Sequence, residues 1–211
     1  MDYYVSDDEQ VERIKKWWQD NAKSIFGGIA IGLAVVLGWQ YWTAHRTARA
    51  EQASAHYATL QQAVEKQDTA LAQQQGQILL DDFPHSAYAV LASLELARLA
   101  AQAGDNATAG QRLQWVIDHA RQSEIKDIAR LRLVRVLLAE NRYDDATARL
   151  NQIDSPNLTA EREELRGDLY AARHEPIKAR AAYQAALGAK ADNPLLRMKL
   201  DNLPAAEAPK E

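Results

Sequence analysis

The sequence predicts an all-α protein: a single N-terminal transmembrane helix followed by a stack of antiparallel helix pairs. Three observations predict it. Alanine occurs 39 times against 9 Gly, 6 Pro and 2 Phe, a balance that favours helix over sandwich or barrel. Residues 24–44 form a 21-residue run with no formal charge. Beyond that run, small and large apolar residues recur around three turns at spacings of 37 and 33 residues.

The first element is a tail, 1–23, assigned to the cytoplasm. It is acidic at first (Asp2, Asp7, Asp8, Glu9) and basic later (Arg13, Lys15, Lys16). Val11, Ile14, Trp17 and Trp18 fall at helical spacing and form one apolar stripe. That stripe suits a membrane surface or a partner.

The uncharged run 24–44 follows. Twenty-one helical residues reach about 31 Å, close to the roughly 30 Å of a bilayer's hydrocarbon. Its eight strong apolar residues favour insertion by roughly 2–5 kcal/mol. Trp17 and Trp18 precede the run, and Trp39, Tyr41 and Trp42 close it, as interfacial aromatics do. A buried soluble helix of this length rarely lacks every charge. A cleaved signal peptide has Ala48-Arg49-Ala50 in its favour, but the leader is long and partly acidic. Arg13, Lys15, Lys16 and Lys23 stand before the run, and only Arg46 and Arg49 at a similar distance after it. The excess places the N-terminus in the cytoplasm and the bulk of the chain outside. Gly28 and Gly32 form a GxxxG pair, a candidate contact with another membrane helix.

Next comes the helical array, 45–203. Helices are expected near 46–66, 69–81, 86–103, 106–121, 125–140, 143–153, 160–173, 176–189 and 194–202. Pro84, Pro156, Pro176 and Pro194 fall between these segments, and Pro176 suits a first helical turn. Gly104-Asp105 reads as a helix stop followed by a new start. The helices near 87–103 and 125–139 are apolar nearly all round, so each is expected to be sandwiched. The tail 204–211 carries no core-forming residue and is expected to be disordered.

The repeat centres on Gly104, Asn141 and His174. Five residues after each centre stands an alanine (Ala109, Ala146, Ala179), and four further on a large apolar residue (Leu113, Leu150, Tyr183). Val116, Ile153 and Ala186 follow three beyond, and Ala97, Val134 and Gly167 stand seven before the centres. This pattern resembles the tetratricopeptide repeat (TPR), a helix–turn–helix unit with a period near 34 residues. The third unit, with Gly167-Asp-Leu-Tyr170, is closest. The first two carry Ala100 and Leu137 where the family has tyrosine. The array is therefore expected to be a TPR-like α-solenoid.

Composition and motifs narrow the function. The net charge of −4 gives no electrostatic case for nucleic-acid binding. With no cysteine, thiol catalysis, disulfides, Cys-ligated zinc and iron–sulfur clusters are excluded. None of the five histidines sits in HExxH, and no P-loop, GxSxG or GxGxxG occurs. Asp81-Asp82 and Asp144-Asp145 border helices, where turn and dipole roles suffice. No enzyme activity, cofactor or metal is expected.

A binding surface is expected instead. Leading helices of TPR-like pairs line a face that holds extended peptides or partner helices. By repeat position that face carries Leu91, Leu94 and Arg98, then Ile128, Leu131 and Arg135, then Glu164 and Asp168. The apolar members of this set also fit a plain core role.

Together these segments resemble one family, the ancillary SecYEG translocon subunits (YfgM-like proteins). The resemblance rests on the acidic start with Gln10-Val11-Glu12, on Gly38-Trp-Gln-Tyr-Trp42, and on Ala92-Ser-Leu-Glu-Leu-Ala97. It extends to Leu131-Arg-Leu-Val-Arg135, Gly167-Asp-Leu-Tyr170 and Met198-Lys-Leu-Asp-Asn-Leu203. It implies a single-span bacterial inner-membrane protein with a cytoplasmic tail and a periplasmic TPR-like domain. Implied partners are the SecYEG translocon, a membrane-anchored periplasmic chaperone of the PpiD type and emerging secretory proteins. The implied role is passing those chains to periplasmic chaperones. An alternative is that the cytoplasmic tail restrains a stress-response regulator.

Overall fold

The computed structural model describes residues 7–190 and 193–204. The first residues of the acidic tail and nearly all of the expected disordered end, from 205, lie outside them. Among the described residues all regular structure is helical. The helices are α1 (Asp7–Glu65), α2 (Thr69–Asp82), α3 (Ala87–Gln102), α4 (Asn106–His119) and α5 (Ser123–Ala139). They continue with α6 (Tyr143–Leu150), α7 (Thr159–Ala172), α8 (Pro176–Ala189) and α9 (Pro194–Asp201). A 3-10 turn at Pro156–Leu158 precedes α7 and was not expected, and α6 stops three residues earlier than its pattern implied. The chain divides into two compact units, Met1–Glu51 and Gln52–Glu211.

In the first unit the expected tail helix and the apolar run are one uninterrupted part of α1. No proline falls between Asp7 and Glu65 to stop it. Phe26, Ile29, Ile31, Leu33, Val35, Val36 and Leu37 are each more than half exposed. Among the described residues none supplies apolar cover for this stretch. By length and composition it can cross a membrane. At its end the Trp39 and Trp42 rings lie 5.3 Å apart, and the Arg46 guanidinium sits 4.7 Å over Trp42.

The second unit is built on one turn used four times. Its central residue has a left-handed backbone: φ is 59° at Gln67, 79° at Gly104, 58° at Asn141 and 59° at His174. In each, the central N–H donates to the carbonyl three residues back, and the next N–H to the carbonyl five back. At Gly104 these bonds go to Ala101 (3.1 Å) and Ala100 (2.9 Å); at His174 they go to Ala171 (3.0 Å) and Tyr170 (2.8 Å). Such bonds satisfy the orphaned carbonyls of the first helix while reversing the chain. Asp68 and Asp105 then cap the second helix, accepting from the Leu71 and Thr108 N–H groups. Five residues beyond each centre, Ala72, Ala109, Ala146 and Ala179 are all fully buried where the two helices cross.

Three of these turns were expected. At Gln67 a break between the helices near 46–66 and 69–81 was expected, but not a fourth copy of this turn, so the array has four repeated pairs rather than three. The first pair joins the end of α1, from Gln52, to α2. It buries Ala53 and Leu60 in one cluster with Leu79, Leu80, Ala89, Ala92 and Leu96. Packing then runs in sequence order, with α5 against α4, α6 and α7. That is why α5 buries Leu131, Leu133, Val134, Val136 and Leu137 on several sides at once.

α9 closes the far end, placing Leu196 against Ala179, Tyr183 and Ala186. Gly167 is required there, because any Cβ at that position would overlap the Tyr183 ring. A buried polar latch ties the loop after α6 to α5. Asp127 accepts from the Ser155 N–H (3.1 Å) and hydroxyl (2.5 Å), and from Arg130 (2.6 Å).

Candidate partner-binding surface

The exposed face of α3 is set by its cap and its period. The Ser86 hydroxyl accepts from the Ala89 N–H at 3.1 Å and fixes the start of the helix. Ala89, Ala92, Leu96 and Ala97 then turn inward, leaving Leu91 and Arg98 outside. Leu91 is exposed, whereas Leu94 is half-buried against the central core. Arg98 is held along its own helix: its Nε donates to Glu95 at 3.1 Å and its NH1 to Gln102 at 2.8 Å.

On α5, Ile128 is half-buried and Arg135 exposed. Leu131 is only 4% exposed and packs as a core residue. On α7, Glu164 and Asp168 are engaged within the molecule. Lys199 of α9 donates to Glu164 Oε1 at 2.7 Å and to Asp168 Oδ2 at 2.9 Å. The Tyr183 hydroxyl donates to Asp168 Oδ1 at 2.8 Å. Burial alone would lower the Lys199 pKa, but the two carboxylates outweigh it and the net shift is upward. Burial, and then the bond to Asp168, push the Tyr183 phenol up. These acids therefore hold α9 in place.

The structure brings together two of the expected residues, Arg98 and Arg135. They flank a groove of about 470 Å³ between α3 and α5. Ala97, Ala101, Leu113 and Val136 form its apolar floor. Arg132 joins them, a residue absent from the expected set. A signal for it existed: in the apolar stretch 131–137, Arg132 and Arg135 are the only charged residues and mark the outward side of α5. A second groove, of about 610 Å³, crosses α4, α5 and α6. Its charges cancel locally, since Arg142 pairs with Asp145 (2.7 Å) and Glu140 (3.3 Å). Gly28 and Gly32 have open space where a Cβ would stand, with no neighbour within 4 Å. Among the described residues no three His, Asp or Glu side chains converge as a metal site.

A run of stacked antiparallel helix pairs with an open side groove defines a repeat-type interaction module. The chain belongs to the family described as tetratricopeptide repeat-like domain, whose model matches residues 15–205.

It is similar to the ancillary SecYEG translocon subunit of Haemophilus influenzae, 28% identical over 205 residues covering 96% of this chain and 100% of the relative. The Escherichia coli protein of that description is 29% identical over 210 residues, covering 96% and 99%. The Neisseria gonorrhoeae protein is 28% identical over 211 residues, covering 96% and 100%. These matches bear out the resemblance read from the sequence.

The fold is similar to that of the solved structure of Pseudomonas aeruginosa pilF. The TM-score is 0.57 at 17% identity, covering 72% of this chain and 67% of that one. A tetratricopeptide repeat protein from Parabacteroides merdae gives 0.52 at 18% identity, covering 71% and 56%.

Proposed function

We propose that this protein is an inner-membrane-anchored interaction subunit associated with the Sec translocon, and that it passes emerging secretory proteins to a membrane-anchored periplasmic chaperone of the PpiD type. In this reading 1–23 is a cytoplasmic tail, 24–44 spans the membrane and 45–203 is the periplasmic TPR-like domain. The observation that carries it is the pairing, in one chain, of an uncovered apolar stretch in α1 with a helix-pair array offering an open groove. The alignments with relatives named as translocon subunits cover 96% of this chain, a span that takes in both parts.

Anchoring gives the mechanism. A tether beside the translocon exit turns weak contacts into near-intramolecular ones, so low affinity suffices and release stays fast. A groove with an apolar floor and charged walls suits such transient capture. The test is affinity isolation of the chain from native membranes in mild detergent. Co-purification of translocon subunits and a periplasmic chaperone is expected. Isolation of the chain without either removes the proposal.

A second reading, regulation through the cytoplasmic tail, rests on Val11, Ile14, Trp17 and Trp18, which form an exposed stripe on α1. Deleting 2–20 while keeping the anchor abolishes signalling in that reading. A signalling phenotype that survives the deletion excludes it.

A further inference from the structure

We propose that the occupant of the α3–α5 groove is an acidic polypeptide segment, with carboxylates flanking a medium-sized apolar side chain. The proposal rests on the reading of this groove as the partner site and names the chemistry of what fills it. The groove is walled by three guanidinium groups and no carboxylate. Glu95 and Gln102 occupy Arg98. Arg132 and Arg135 are different: among the described residues neither side chain has a hydrogen bond or ion pair.

That arrangement runs against the rest of the molecule. The chain has 29 acidic and 25 basic residues, so its average surface is acidic. Like charges one helical turn apart repel, and Arg132 and Arg135 stand three residues apart on α5. Six other arginines of the array sit beside acids, as Arg142 does with Asp145 and Arg173 with Asp144. The groove across α4 and α6 has similar size yet neutralises itself, so groove formation alone does not demand free cations.

The floor supplies the second half of the match. Ala97 and Ala101 are small, which leaves room above Leu113 and Val136 for an aliphatic side chain. Guanidinium forks bind carboxylates with two parallel bonds, and do so best beside apolar surface that excludes water. An extended strand with acids on either side of a Leu or Val satisfies walls and floor together.

The test uses the full chain in nanodiscs of zwitterionic lipid and a labelled decapeptide of alternating Glu and Leu. Binding is followed by fluorescence anisotropy, beside matched Gln/Leu and Lys/Leu peptides. The Glu/Leu peptide is expected to bind, more weakly as salt rises. The double substitution Arg132→Gln with Arg135→Gln is expected to weaken it about tenfold. Arg149→Gln, in the other groove, is expected to leave binding unchanged. Both positions are exposed, and unchanged thermal unfolding of the double variant shows that folding is intact.

Equal binding of the Gln/Leu or Lys/Leu peptide overturns the proposal. So does unchanged binding by the double variant, or displacement of peptide by phosphatidylglycerol vesicles through the same arginines. A photocrosslinker at Arg135 in native membranes separates the two levels. If it captures polypeptide while the acidic peptide fails, the groove reading stands and this occupant falls. If neither binds, both fall.

Discussion

Gly167 shows how one residue fixes the contact of two helices. Gly→Ala inside a helix normally stabilises by roughly 0.5–1 kcal/mol. At Gly167 the new Cβ runs into the Tyr183 ring, so the sign reverses, and Gly167→Ala is expected to destabilise by about 1–3 kcal/mol. At Gly110 the nearest atom is Leu133 Cδ1 at 3.7 Å, an ordinary contact, so Gly110→Ala keeps the usual gain. Thermal unfolding of the two variants checks the contrast.

Asp127 carries a pH dependence at the same scale. Burial alone would raise its pKa, but the Ser155 hydroxyl, Arg130 and the Ser155 N–H outweigh burial and hold it below the usual carboxylate range. The folded pKa is thus below the unfolded one, near 3.9. The stabilisation is present above that value and is lost as pH falls through the folded pKa. Asp127→Asn is expected to cost roughly 1–3 kcal/mol at neutral pH and to flatten the acid side of the stability profile. Denaturant titrations between pH 7 and pH 3 measure both. The sequence marks Asp127 only as a charge near a helix start; its partner Ser155 lies 28 residues away.

At the scale of elements, the four turns explain what the sequence pattern could and could not convey. Around Gly104, Asn141 and His174 a small or medium residue precedes the turn and a large one follows it, so the alignment is readable. Around Gln67 the sizes invert: Leu60 precedes it and Gly76 follows. The pair still packs, because Leu96 from α3 fills the space beside Gly76, where an added Cβ would lie 2.6 Å from it. The backbone at Gln67 is left-handed, which costs an L-residue about 1–2 kcal/mol. Gln67→Gly is therefore expected to stabilise the domain by roughly 0.5 kcal/mol once glycine's greater unfolded freedom is counted.

α9 was legible as a helix but not as a lock. Lys199 reaches Glu164 across 35 residues of sequence, beyond any local pattern, so the internal pairing of Glu164 and Asp168 could not be read from the sequence. Leu131 is buried because α5 is packed on several sides. The folded Lys199 pKa lies above its unfolded value, so its contribution is full below about pH 10.4 and fades as pH rises through the folded pKa. Lys199→Met is expected to lower stability by about 1 kcal/mol and to speed hydrogen exchange in α9 before the rest of the array.

For the whole molecule, the central claim is a membrane-tethered helix-pair array that works by holding polypeptide in the α3–α5 groove. The tether was legible because an uncharged stretch of bilayer length needs no tertiary information. The groove was half legible: helical period exposes Arg98 and Arg135, but only the packing of α3 against its neighbours brings them to one opening. Charge reversal of the groove by Arg132→Glu with Arg135→Glu is expected to leave membrane retention intact in alkaline carbonate while reducing recovery of partners. The most direct test places a photocrosslinking residue at Arg135 in the full chain, with a second at Gln111 on the α4 side as reference, and irradiates intact cells. The account predicts adducts with translocon subunits, chaperone or secreted chains from position 135 well above those from 111. Membrane-integrated protein whose position 135 gives no intermolecular adduct, or no more than position 111, contradicts it.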